Sequence, residues 1–443
     1  MTFKQFIIEC QAKRDVMTQY VAGIDFGTTN SSAAISDGKS VRMVDVENGK
    51  NTIPTALFFS FDTKKIYYGR DAQAQYTNDE ENGRFMCSIK SLLGTSLMQE
   101  STVINGKSTK FTTIVENFIR YLKQRIDNTT GTNVESVVVG RPVHFRDNNA
   151  EEDDKAEQTL KQIVLNAGFK NVAFQYEPIA AAFTHEQNLT SEKLAFVADI
   201  GGGTSDFSII RLSPDKKLKF NRSEDVLANT GVHIGGNDFD KDLSMKSFMP
   251  YFGLDTKYRS YNGDFSVPRS PFFSLSTWHS VNEVYNYKNL NDVKGYIVWG
   301  YEPEKLKRLY EIIERRLGHK NLEYVERAKI ALSTNLECDT TLDFLSDAPT
   351  VKTIRKSFEE AMVWDIEKID KAVQECLANA KIKNTDIELI ILTGGSTEIP
   401  YINQMMQSYF PNAKISSGNK MCSVGLGLAY DAMRRFCEQQ KTK

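Results

Sequence analysis

The 443-residue chain carries 55 lysines and arginines against 57 aspartates and glutamates, a formal net charge of -2, with 40% apolar and 25% charged residues. So even a balance excludes a general nucleic-acid binder, which needs a basic field to neutralise phosphates, and gives no support to a polybasic membrane anchor. The apolar content excludes disorder as the main state, and at about 100–200 residues per domain the length suits two to four domains. No run of about 18 apolar residues is present, and the patch Phe6-Ile7-Ile8 is too short for a signal-peptide core. Cysteines stand at 10, 87, 338, 376, 422 and 437, with no C-x-x-C pair and no zinc spacing. A cytoplasmic protein with unpaired thiols and no membrane span is expected.

In chain order, Phe3, Phe6, Ile7, Cys10 and Met17 recur at helix-like intervals. Residues 1–20 read as a short packed helix or a membrane-surface helix, with Met17 as an alternative start. Val21-Ala-Gly-Ile-Asp-Phe-Gly27 then reads as a strand, with Thr28-Thr29-Asn30 as a tight turn and Ser32–Ile35 as the return strand. The same unit recurs as Leu194–Ile200, Gly201-Gly202-Gly203-Thr204 and Asp206–Ile210, which marks an internal duplication of a half-molecule. Between the two, Ser136–Gly140 is a strand. Residues 151–167 form a helix with acids in its first turn and Gly168 as its stop. Residues 251–310 hold 14 aromatics in 60 positions, which serve either core packing or a partner surface. Apolar residues from Ile354 to Leu377 predict one long helix over Ile354–Ala380. A strand, Leu389–Leu392, enters Thr393-Gly394-Gly395-Ser396, and the chain reads as helical again from Val424. Strands alternating with long helices give an α/β class.

Three glycine turns therefore end strands, at Gly27, at Gly201–Gly203 and at Gly394-Gly395. Successive amides in such turns form concave anion sites suited to phosphate, and the hydroxyls of Thr28, Thr29 and Thr204 add donors. One such turn alone is more often structural; three, two of them duplicated with an aspartate, point to a ligand. Asp25 and Asp199 precede their glycines by two residues. Carboxylates there suit a hard cation held through its waters, since magnesium keeps several waters and binds through one or two carboxylates plus substrate phosphates. Asp206 follows on the returning strand. Glu177 precedes Pro178 at the mouth of a helix, as a site carboxylate or a plain N-cap. Lys90, in Ser-Ile-Lys-Ser, is by itself a surface lysine.

The segments GIDFGTTNS (23–31), SIKSLLG (88–94), YEPIAAAF (176–183), DIGGGTSDFSII (199–210), HIGGNDFD (233–240), ERAKIALS (326–333) and LTGGSTEIP (392–400) together resemble the ATPase domain of DnaK-type chaperones. These are the 70-kDa heat-shock family within the actin-like superfamily; the chain is similar to its short YegD-type members over about 21–435. The resemblance implies an actin-like α/β fold of two duplicated lobes around a nucleotide cleft. Residues 1–20 are an N-terminal extension. Lobe I spans 21–198, with a helix of 423–443 returning to it. Lobe II spans 199–422 and includes an enlarged aromatic-rich subdomain at about 245–320.

The resemblance also implies roles. Asp25 and Asp199 hold the waters of Mg2+, and Thr28, Thr29, Gly202 and Gly203 cradle the β- and γ-phosphates of ATP or ADP beside Gly27 and Gly201. Thr204 touches the γ-phosphate side. Lys90, Glu177 and Asp206 position and polarise the attacking water or join the ion's shell. Gly235 and Gly236 approach the ribose and phosphates. Glu326, Lys329 and Ser333 contact the adenosine, with Gly394, Gly395 and Ser396 beneath it. Pro142, in GRPVHF, matches the family's relay proline.

Three departures qualify this. Ile330 and Glu398 stand where the family usually lays an arginine on each face of the base, and Met421 matches a usual aspartate. Weaker nucleotide affinity or relaxed base choice is expected. The peptide-binding domain of full-length relatives has no counterpart before Lys443. The expected function is a slow Mg-dependent ATPase, a chaperone-related switch that meets a client or co-chaperone through 251–310. The alternatives are a nucleotide-binding interaction module with little hydrolysis, or a small-molecule kinase of the same superfamily.

Overall fold

The computed structural model describes residues 19–77, 82–146, 149–217, 219, 221–416 and 420–437. The helix expected within 1–20 thus lies almost wholly outside the described residues, as does the 438–443 end of the last segment.

Two sheets carry the duplication. In the first, Val21–Phe26 runs antiparallel to its return strand Asn30–Ser36 and parallel to Ser136–Arg141, which pairs in turn with Asn171–Tyr176. In the second, Lys193–Ile200 runs antiparallel to Ser205–Leu212 and parallel to Leu389–Thr393. Each sheet centre is a near-continuous apolar run, as a strand covered on both faces requires. The parallel neighbours are reached through helices, so both sheets have the α/β build the sequence predicts.

Local chemistry explains the helix that joins Ser136–Arg141 to Asn171–Tyr176. It spans Ala150–Asn166; the Asn149 side chain accepts the Glu152 amide at 3.1 Å, and Glu151, Glu152 and Asp153 face the positive end of the helix dipole. Gly168, at φ +116°, turns the chain away. The helix Ser423–Ala432 packs between the sheets, since Val424 and Leu428 share one core cluster with Val21, Val138, Val197 and Ile391.

Two expectations change. The long helix predicted over 354–380 is two helices, Arg355–Ala361 and Val363–Ala380, broken at Met362. The Met362 carbonyl accepts both the Asp365 and Ile366 amides, a tightened turn that sequence periodicity does not register because Phe358, Met362 and Ile366 all stay buried. Ile354 ends a strand, Thr350–Ile354, and is exposed. The aromatic-rich segment splits by position: Phe252, Phe272 and Val293 enter the core, whereas Tyr261, Tyr287 and Trp299 are exposed. Trp278 is half-buried, its ring 5.3 Å from that of His319 and 6.3 Å from that of Phe85.

Candidate functional site

The strand ends bring the site together. Asp25 and Asp199 lie near the ends of the two central strands, and the register places Asp206 directly opposite Asp199. Gly27-Thr28-Thr29 and Gly201–Thr204 then confront each other. A Cβ on Gly203 would stand 2.9 Å from Thr28 Oγ1, and one on Gly202 would overlap Thr29 Oγ1. The second turn is braced from behind, because the amides of Gly236 and Asn237 donate to the carbonyls of Gly201 and Gly202 at 2.9 and 2.8 Å.

Both turns, with Gly394, Gly395 and Ser396, line one cavity of about 470 Å³. Asp25, Lys90, Glu177, Asp199, Gly236, Glu326, Lys329 and Ser333 line it too. Two of the predicted residues do not reach its wall. Gly235 backs the Gly201–Gly203 turn so closely that a Cβ would lie 2.6 Å from the Gly203 nitrogen. Asp206 is anchored across the molecule, its Oδ1 accepting the Val143 amide at 2.7 Å. Each instead packs against or holds a neighbouring segment.

Lys90 sits on the short turn Ile89–Leu92, aimed inward by Ser88 in a left-handed conformation, φ 53°. Its ammonium donates to Glu177 Oε1 at 2.6 Å, and both side chains are over nine-tenths buried. Glu177 is the first residue of the helix Glu177–Glu186, with Tyr176 at the N-cap, so the plain N-cap alternative does not hold. The surface-lysine alternative for Lys90 fails on burial.

One ammonium thus stands within electrostatic reach of four carboxylates, Asp25, Glu177, Asp199 and Asp206. Burial, reinforced by Glu177 and opposed by Lys90, pushes the Asp25 carboxyl up to about 7. Burial and Glu177 push Asp206 up to about 7 as well, against the pull of the Val143 amide. Asp199 rises well above the usual carboxylate range, mainly through burial. Burial works against the Lys90 ammonium, yet the Glu177 carboxylate holds its pKa above the ordinary lysine value. So lopsided a cluster favours an added cation. Among the described residues no three His, Cys, Asp or Glu side chains converge on a directly ligated ion. A hydrated ion held through water suits the set better.

The wall also fits a polar ligand. Thr29, Ser32 and Asp240 line the cavity, and each also carries one buried side-chain oxygen without a hydrogen-bond partner, Oγ1, Oγ and Oδ1.

At the other end, the helix Gly318–Thr334 turns Glu326, Lys329, Ile330 and Ser333 toward the cavity. Lys329 is held by Asp240 Oδ2 at 2.7 Å and the Gly236 carbonyl at 3.0 Å. Burial and the Asp240 charge raise the Glu326 carboxyl. Asp240 was missed as a site residue; its signal lay in the HIGGNDFD segment, where the glycines drew attention instead. Lys420, also missed, pairs with Glu398 at 3.1 Å. Ile330, Glu398 and Met421 all line this end.

A family model described as Hsp70 protein matches residues 21–258 and 306–433, leaving most of the aromatic-rich segment unmatched. The chain is 28% identical over 396 residues to the chaperone protein DnaK of Mycoplasma mobile, covering 87% of this chain and 53% of that one. It is 29% identical over 420 residues to the DnaK of Mycoplasmopsis agalactiae, covering 93% and 58%. The DnaK of Thermosipho africanus is 27% identical over 426 residues, covering 94% and 59%. The chain thus spans little more than half the length of these curated relatives. Among the described residues no helix is long and apolar enough to cross a membrane.

Proposed function

Because the chain belongs to the Hsp70 family, and so has its actin-like ATPase fold, we propose that it is a Mg-dependent ATP-binding protein that hydrolyses ATP slowly and works as a chaperone-related switch. The observation that carries this reading is the buried Lys90–Glu177 pair at 2.6 Å, set among Asp25, Asp199 and Asp206 at the phosphate-like end of the cavity. In this reading 21–198, with the returning helix of 423–443, forms one lobe and 199–422 the other.

Magnesium, when bound, supplies charge neutralisation at the phosphate oxygens. Asp25 and Asp199 hold its waters. Thr28, Thr29, Thr204 and the amides of Gly27 and Gly201–Gly203 bind the phosphates, with Gly235 and Gly236 closing the turn behind them. Lys90, kept protonated beside Glu177, keeps one fixed positive charge at the reacting end. Glu177 orients the attacking water, and Asp206, behind the wall, holds the Val143 amide. Glu326, Lys329 and Ser333 hold the adenosine above Gly394, Gly395 and Ser396. Such in-line transfer to water needs mainly positioning and electrostatic stabilisation, which rigid, water-poor surroundings provide.

The test is steady-state phosphate release by the native protein and Lys90→Ala. Release at least about a hundredfold lower in the variant is expected if Lys90 stabilises the transferring group. Equal release would remove Lys90 from the mechanism. The second reading, a nucleotide-binding module with little hydrolysis, is favoured by Ile330 and Glu398 at the base end. It would be supported by ADP binding without turnover. A protein client or co-chaperone is proposed to meet the exposed Tyr261, Tyr287 and Trp299.

A further inference from the structure

We propose that a second pocket, separate from the cavity described above, takes an acidic peptide segment of a partner protein, a role that does not depend on what the cavity binds. The pocket encloses about 590 Å³, ample for a short stretch of side chains.

Two distant parts of the chain form its walls. Phe58 and Phe85, from the paired strands Ala56–Ser60 and Gly83–Cys87, stand on one side with Phe61, Tyr76 and Arg84. Tyr285, Arg315, Arg316, His319 and Lys320 stand on the other. The walls are tied together where they meet. His319 Nδ1 lies 2.7 Å from the Tyr76 hydroxyl, and its ring meets that of Phe85 edge-on at 6.1 Å. The pocket is therefore preformed, and an occupant need not order it first.

Charge narrows what fits. Arg84, Arg315, Arg316 and Lys320 line the pocket, and among the described residues no aspartate or glutamate does. Arg315 is neutralised by Glu311 at 2.6 Å. Arg84, Arg316 and Lys320 have no carboxylate partner among the described residues. Carboxylates close by in sequence are engaged: Asp62 accepts the Asn82 amide at 3.0 Å, and Glu314 the Tyr310 hydroxyl at 2.7 Å.

Arg316 is also held in place. Its backbone is left-handed, φ 55°, and its guanidinium lies 5.9 Å from the Tyr285 ring centre. The Tyr285 hydroxyl accepts the Gly318 amide at 2.8 Å, which fixes that ring in turn. Backbone strain of this kind concentrates at ligand-binding positions.

Three unpaired cations in one concavity attract carboxylates and phosphates alike. The aromatic wall separates the two. Phe61 is 42% exposed, and Phe58 and Phe85 line the pocket with it. An inorganic polyanion leaves this surface wet. A peptide with an apolar side chain among its acids covers it and gains by doing so.

The experiment is fluorescence anisotropy of the full chain with a labelled hexapeptide, Glu-Phe-Glu-Glu-Phe-Glu. It is read against the Gln-Phe-Gln-Gln-Phe-Gln and Glu-Ser-Glu-Glu-Ser-Glu peptides, with inorganic tripolyphosphate as competitor. The first peptide is expected to bind at least about tenfold more tightly than the glutamine peptide and at least about threefold more tightly than the serine peptide. Arg84→Gln and Arg316→Gln are each expected to weaken it at least about fivefold. Lys356→Gln, which removes an exposed cation outside the pocket, should leave it within about twofold. No saturable binding of the first peptide, or equal binding of either control peptide, overturns the proposal. So does an equal loss in Lys356→Gln, which would show attraction by net charge alone. Tripolyphosphate that displaces the label at a lower concentration than the unlabelled peptide assigns the pocket to an inorganic polyanion, and also overturns it.

Discussion

Gly202 and Thr29 meet across the cleft so closely that a methyl group on the glycine would occupy the place of the threonine hydroxyl. The glycine turn cannot retreat, because Gly236 and Asn237 hold its carbonyls. Gly202→Ala is therefore expected to push the two turns apart and to weaken ADP binding at least about tenfold, as loss of positioning does. Calorimetry checks this. An unchanged dissociation constant would mean that the turns already separate when the ligand binds.

His319 gives a pH dependence unrelated to the cavity chemistry. Its Nδ1 lies 2.7 Å from the Tyr76 hydroxyl, and the rings of Phe85 and Trp278 surround it. Burial lowers its pKa from 6.5 to about 4. Between those values the unfolded chain binds a proton that the folded chain refuses. Stability thus rises with pH through this window and is lost as pH falls from 6.5 toward 4, by about 3 kcal/mol in all. His319→Gln should flatten the change in urea midpoint over this range. An identical pH slope in both proteins would exclude His319 as its source.

Phe183 has two cations over its ring: the Arg222 guanidinium is 5.2 Å from the ring centre and that of Arg434 is 3.9 Å away. Phe118 is equally buried, in an apolar core cluster with the Phe26 ring 6.0 Å away and, among the described residues, no cation over its own ring. Phe183→Leu is expected to cost about 1 kcal/mol more than Phe118→Leu in equilibrium unfolding, the difference reporting the cation–π contacts. Equal costs would assign Phe183 an ordinary packing role.

The aromatic-rich segment separates on the same kind of measurement. Trp299→Ser and Tyr287→Ser remove exposed rings and should shift unfolding free energy by less than about 0.5 kcal/mol. Trp278→Ser, which removes a ring packed on Phe85 and His319, should cost clearly more, about 2 kcal/mol. A large loss from the exposed pair would make those rings structural and remove the reason to see a partner surface there.

What the sequence made legible was local. Asp25 and Asp199 could be read because each ends an apolar run beside a glycine turn, and the two turns repeat. The alternation of strands and helices sufficed for the α/β class. Partnerships between distant segments were hidden. Nothing near Lys90 announces Glu177, nothing near Asp206 announces the Val143 amide, and nothing near Lys329 announces Asp240. The break at Met362 was invisible for another reason: both helices bury the same stripe, so the apolar pattern runs on while the backbone changes pitch.

The helix that begins with Glu177 is only ten residues long, a rod of about 15 Å. At its far end Glu186 grips Arg222, with bonds of 2.7 and 2.8 Å. Along its side Gly427 of the final helix is pressed against the Ala180 carbonyl with no space for a side chain. A rod fixed at one end and jammed along its flank has no free play. Any shift of this rod must carry the last helix with it, so the protein holds a mechanical linkage running from the helix that bears Glu177 to the closing segment of the described chain.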